Sequence, residues 1–93
     1  MAATPIIVYI KDPNAVLDYT LNWFEYLDGD TISTSTWTVP AGITKNSESN
    51  TTTAATVWLS SGTDGTDYDV YNRIVTAAGR TDDRTIRIRV SER

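Results

Sequence analysis

The stretch Gly65-Thr66-Asp67-Tyr68-Asp69-Val70 continues through Ile74-Val75 and Ala77-Ala78-Gly79-Arg80 to Thr85-Ile86-Arg87-Ile88-Arg89-Val90, and reads as two alternating strands joined by a glycine turn. Apolar side chains at every second position turn one face of each strand to a core and the other to water. In immunoglobulin-like sandwiches a tyrosine near the start of the penultimate strand returns its hydroxyl to the upstream backbone, and the residue two places on points inward. Tyr68 and Val70 fit those places, so Tyr68, Val70 and Ile74 are expected inside, with Asp69, Tyr71 and Arg73 outside.

Working outward, Ile6-Ile7-Val8-Tyr9-Ile10 is an apolar run of strand length between Pro5 and Lys11-Asp12-Pro13-Asn14. Leu17, Tyr19, Leu21 and Trp23 alternate with Asp18, Thr20 and Asn22 as a second strand. The period then changes: Trp23, Tyr26 and Leu27 lie three and four apart, and Asn22 is placed to cap a short helical turn over residues 23–28. Thr31 to Val39 has strand propensity and Pro40-Ala41-Gly42 stops it; Trp37 is the candidate inward tryptophan of a third strand. Ile32 has the opposite parity to Trp37, which implies a bulge between them. Lys45 to Thr52 reads as a weak edge strand or a mobile loop. Ala55, Val57 and Leu59 face one way, Thr56 and Trp58 the other. The sum is an all-β domain spanning residues 1–93, a two-sheet antiparallel sandwich of about seven strands.

Composition narrows the chemistry. With no cysteine and no histidine in 93 residues, disulfides, the usual structural zinc sites and most nucleophile–base pairs are excluded. Asp28-Gly29-Asp30 and Asp64-Gly65-Thr66-Asp67 lack the spacing of a calcium loop and are read as turns, with no metal or cofactor expected. No carboxylate pair sits in an evident cleft, so no catalysis is expected. No apolar run is long enough to cross a bilayer, and Met1-Ala2-Ala3-Thr4-Pro5 lacks the features of an export signal, so no membrane partner is expected.

The net charge of −4 argues against nucleic acid as a partner. Its distribution is uneven: residues 1–72 hold Lys11 and Lys45 against nine acidic residues, a balance of −7, whereas residues 73–93 hold six arginines against Asp82, Asp83 and Glu92, a balance of +3. The arginines either pair with acidic strands beside them or meet acidic surface on a neighbouring molecule. Trp58 and Tyr71 on outward faces, Trp23 and Tyr26 at the helical corner, and Arg80, Arg84, Arg87 and Arg89 are the residue types enriched at protein interfaces and form the candidate contact set.

A family resemblance is carried by Lys11-Asp12-Pro13-Asn14-Ala15-Val16-Leu17-Asp18-Tyr19, Trp23 to Leu27, Gly29 to Gly42 around Trp37, Gly65-Thr66-Asp67-Tyr68, Asn72-Arg73-Ile74-Val75-Thr76, and Gly79-Arg80-Thr81-Asp82-Asp83-Arg84-Thr85-Ile86. Together they resemble the small tailed-bacteriophage proteins called fiber-tail adaptor proteins, over nearly the whole chain. The resemblance implies a structural virion protein, made in the host cytoplasm, that links tail and fiber components in the neck or tail. Its partners would be other virion proteins and copies of itself in a symmetric ring. No catalytic residues carry over. The residues themselves leave two other readings open, a capsid decoration protein and a receptor- or carbohydrate-binding module that stacks sugars on Trp58, Tyr71 and Tyr26.

Overall fold

A computed structural model describes residues 7–92. Met1 to Pro5, and Ile6 of the expected first strand, lie outside the described residues. The elements in chain order are β1 (Ile7–Lys11), β2 (Leu17–Asn22), α1 (Phe24–Leu27), β3 (Ile32–Thr38), β4 (Ile43–Asn50), β5 (Ala54–Ser61), β6 (Asp67–Thr76) and β7 (Thr81–Val90). They form a four-stranded sheet in the order β1-β7-β6-β3 and a three-stranded sheet in the order β2-β5-β4, packed as a sandwich. The orders β2-β5-β4 and β7-β6-β3 match the B-E-D and G-F-C strand orders of immunoglobulin-like sandwiches, and β1 is added beside β7. The expectation of a wholly antiparallel sandwich is corrected at that point, because β1 runs parallel to β7. The connection after β1 crosses to the other sheet, so no tight hairpin dictates an antiparallel partner.

Alternation explains the packing. Along β6 Tyr68, Val70, Asn72, Ile74 and Thr76 are buried while Asp67, Asp69, Tyr71 and Arg73 are exposed, and Ile86, Ile88 and Val90 of β7 continue the inner face. Trp37 of β3 and Ala55, Val57 and Leu59 of β5 close the core from both layers. Apolar side chains of this size contribute about 1.5 to 3 kcal/mol each on full burial. The parity conflict between Ile32 and Trp37 is resolved by a register shift between Ile32 and Thr34, after which both side chains are buried. The polar segment after Gly42 is a strand, β4, bonded along β5 and bulged between Lys45 and Ser47.

The helical corner forms where the period changed. The Asn22 side-chain oxygen accepts the Phe24 amide at 2.9 Å, which satisfies one of the donors a helix start leaves over. Asp28 in the left-handed region, at φ 45°, then ends the helix. The tyrosine corner also forms, with the Thr63 amide donating to the Tyr68 hydroxyl at 3.0 Å. Tyr68→Phe removes that acceptor next to a part-buried amide, and we expect it to lower unfolding free energy by about 1 to 2 kcal/mol in urea titrations. A change below about 0.3 kcal/mol would show that water replaces the hydroxyl at no cost.

One buried residue breaks the usual preference. Lys11, at the end of β1, is fully buried, and its ammonium donates to the carbonyls of Ser61 at 2.7 Å and Asp12 at 2.9 Å. Loss of hydration pulls its pKa below the ordinary lysine value, against the opposing charge of Asp12. The two acceptors make the burial tolerable, and they stitch β1 to the end of β5.

Candidate docking surface

The candidate contact residues do not form one patch. Trp58 is 41% exposed on the outer face of β2-β5-β4, between Asp18 of β2 and Ser47 of β4. Tyr71 is 38% exposed on the outer face of the other sheet, between Thr38 of β3 and Thr85 of β7. Successive side chains of a strand point to opposite faces, and each of these points away from the shared core. The two aromatics therefore look out from opposite sides of the sandwich, and no single flat partner covers both.

Trp23 corrects the reading of the corner, because it is fully buried and offers nothing to a partner. Its indole Nε1 donates to the Asn72 side-chain oxygen at 2.9 Å. The Asn72 amide in turn donates to the Ser35 hydroxyl at 2.8 Å and the Thr36 carbonyl at 3.2 Å. Arg84 lies over the Trp23 ring at 4.3 Å and 5.8 Å from the Tyr26 ring, and donates to the Asn22 carbonyl at 3.3 Å. Tyr26 is half-buried and meets Trp23 edge-on at 5.4 Å. Cation–π and edge-to-face contacts of this kind hold the corner against β7. Arg84 thus has a packing role within this chain, and both it and Tyr26 remain partly exposed.

The charged outer face of the β6–β7 hairpin is matched internally. Arg87 pairs with Asp69 at 2.8 Å, Arg89 with Asp67 at 3.1 Å and Arg73 with Asp83 at 2.8 Å, each across the two strands. Of the two readings of the arginine-rich end, pairing with acidic strands beside them is the one present within the chain. These pairs are half in water and individually stabilise little. Arg80 is exposed in the β6–β7 turn, where its carbonyl accepts the Thr76 amide and its own amide donates to the Thr76 hydroxyl. The turn is braced by Asp30, whose Oδ1 accepts from the Ala78 and Thr31 amides. Asp30 and Asp64 are therefore turn-fixing acceptors, Asp64 receiving the Glu92 amide. Among the described residues no three acidic side chains come together as a metal site would need.

These interactions set an acid limit. Hydrogen bonds from Arg87 hold the Asp69 carboxyl below its ordinary pKa, those from Arg73 do the same for Asp83, and a hydrogen bond from Thr76 does so for Asp30. A depressed folded-state pKa means that the unfolded chain binds protons first, so this stabilisation is complete above the unfolded value of 3.8 and is lost as pH falls through the folded values. Thermal midpoints are expected to be flat from pH 7 to 5 and to decline below about pH 4. A midpoint that held constant to pH 2 would refute a folded-state role for these pairs.

Several apolar residues outside the candidate contact set are exposed, among them Leu17, which alternation groups with buried Tyr19 and Leu21 of β2. Phe24 on α1 is 65% exposed, and Ile7, Val8 and Ile10 of β1, Val16 and Leu17 are also largely in water. The run around Val8 gave a strand signal but no sign of which face would be covered, because an unbroken apolar run carries no alternation.

A family model described as "Podophage GP4 fiber-tail adaptor protein gp77" matches residues 11–89, from the last residue of β1 to the penultimate residue of β7. No curated protein matches the chain.

Proposed function

Because the chain belongs to the podophage GP4 fiber-tail adaptor protein family, we propose that it is a structural part of the phage tail that links tail and fiber components near the neck, acts without catalysis and repeats as a symmetric ring. The observation that carries this reading is the extent of the family match, which takes in every strand from β2 to β6, nearly all of β7 and the turns between them. The geometry is consistent with a spacer. A small sandwich whose end loops are bonded to one another transmits position rather than chemistry: the Ile32 amide donates to the Thr52 carbonyl at 2.9 Å, Trp23 to Thr53 at 2.8 Å and Ala77 to Thr31 at 2.9 Å. Exposed Trp58 and Tyr71 on opposite faces suit a part held between two neighbours, and repetition in a closed ring lets weak contacts add up through effective concentration.

Imaging tests this directly. A cryo-electron reconstruction of particles carrying an epitope in the exposed 77–80 turn should place density at the junction of tail and fibers, and particles lacking the protein should lose their fibers. Label on the head, or fibered particles without the protein, would overturn the proposal.

A further inference from the structure

β3 ends the larger sheet and β4 the smaller, and the two lie side by side along one flank of the sandwich. Terminal strands are templates for pairing with another chain, and folded proteins protect them with bulges and inward-pointing charges. Both devices are present here. β3 shifts register between Ile32 and Thr34, and β4 between Lys45 and Ser47. The second shift redirects side chains. Lys45 lies opposite Leu59 and Glu48 opposite Val57, so a three-residue step on β4 matches a two-residue step on β5. In a regular strand residues 45 and 48 would face opposite ways. The extra residue turns both to the inner side, where buried Leu59 and Val57 also point.

There they reach across to β3. The Trp37 amide donates to the Glu48 carboxylate at 3.1 Å, and the Lys45 ammonium donates to the Trp37 carbonyl at 3.0 Å and to Glu48 at 2.7 Å. Both main-chain groups that Trp37 turns to the flank are thereby taken. At the start of β3 the Ile32 amide donates to the Thr52 carbonyl at 2.9 Å, so that position is taken as well. A strand approaching β3 meets two charges and a ladder already engaged.

We propose that Lys45 and Glu48 form a guard that closes this flank against strand addition, so that copies of the chain do not join edge to edge through β3. Their placement serves this role better than it serves stability. Each side chain keeps 31% of its surface in water, and an ion pair that exposed stabilises a fold little. β4 nevertheless departs from regular pairing to bring the two charges onto the backbone of one residue. That residue is Trp37, whose buried indole helps to close the core, so a strand pairing there would pull on the centre of the sandwich. The guard follows from the β3–β4 geometry and is independent of the adaptor reading. Copies held at high effective concentration in any assembly would need it most.

A Lys45→Thr/Glu48→Thr variant of the full chain keeps strand-forming residues at both positions and removes the guard. Sedimentation velocity between about 10 μM and 1 mM should show it associating at least about tenfold more tightly than the parent chain. Hydrogen exchange at the Trp37 amide identifies the edge: it should be faster than in the parent at the dilute end and slow again in the associated species. Glu48→Thr alone frees the amide and leaves Lys45 on the carbonyl. It should shift association the same way by a smaller factor, and it decides the outcome where the double variant fails to fold. Gly65→Ala strains the β5–β6 turn, whose amide donates to Val90, and serves as a control of lowered stability with the guard intact; it should associate as the parent does. Association unchanged in the guard variants, association with the Trp37 amide still exchanging freely, or equal association of Gly65→Ala overturns the proposal.

Discussion

Asn72→Leu is expected to lower the unfolding free energy by about 3 kcal/mol, although the two side chains have similar volume. Asn72 is fully buried on β6, a strand that otherwise shows the core apolar side chains and a threonine. It accepts from Trp23 Nε1 at 2.9 Å and donates to Ser35 and Thr36, so it joins the helical corner, β6 and β3 through one side chain. Leucine would leave the Trp23 donor fully buried with nothing to bond, and an unpaired buried donor costs about 1 to 3 kcal/mol by itself. The Ser35 hydroxyl and Thr36 carbonyl would each lose a donor, which brings the total near 3 rather than 1. Trp23→Phe in the same background removes the orphaned donor, so the double variant should lose clearly less than the sum of the two single changes. Urea unfolding at pH 7 measures all three variants. Additive losses, or a leucine variant within about 0.5 kcal/mol of the parent, would show that this bond does not organise the corner.

Gly62→Ala should cost a similar amount for a different reason. Gly62 sits between β5 and β6 at φ 103°, a left-handed conformation that an L side chain adopts only with strain. A methyl there would stand 2.7 Å from Val90 Cγ2. Val90 is fully buried and β-branched, so it cannot swing aside as a lysine tip could. Backbone strain of about 1 to 2 kcal/mol and overpacking of about 1 to 3 kcal/mol combine to an expected loss of about 3 kcal/mol. Val90→Ala in the same chain relieves the clash and leaves the strain, so it should recover part of the loss. Gly65 has φ 82° with open space around it, and Gly65→Ala should therefore show the backbone contribution alone. Equal effects at Gly62 and Gly65 would mean that the Val90 contact carries no weight. Small domains hold only about 5 to 15 kcal/mol in total, so either variant at Asn72 or Gly62 removes a large fraction of what keeps this one folded.

Much of the fold is legible in the chain because alternation is a local property. The inward set Tyr68, Val70 and Ile74, the outward set Asp69, Tyr71 and Arg73, and the bulge demanded by the parity of Ile32 and Trp37 all follow from a two-residue period. The helical turn after Asn22 follows from a change of period and a side chain suited to capping. Contact surfaces are less legible. Trp23 and Tyr26 at helical spacing read equally well as surface aromatics or as the underside of a corner; the difference lies in Asn72, 49 residues away, and in Arg84. Arg87 and Arg89 resemble an unmatched basic strand until β6 brings Asp69 and Asp67 opposite them. A continuous apolar run such as Ile7 to Ile10 says strand without saying edge.

The sequence by itself determined every strand but β4, most of their inward faces, the tyrosine corner and the family to which the chain belongs, since each of these is written in residues close together or in a linear pattern. The tertiary structure alone decided that β1 joins β7 in parallel, that Trp23 lies inside, that Arg73, Arg87 and Arg89 are paired across β6 and β7, and that Lys45 and Glu48 cover Trp37 of β3. The physical reason is distance along the chain. Backbone sterics and side-chain alternation act over a few residues, whereas the partner that buries, neutralises or blocks a given side chain is chosen only when folding brings remote strands to within about 5 Å of one another.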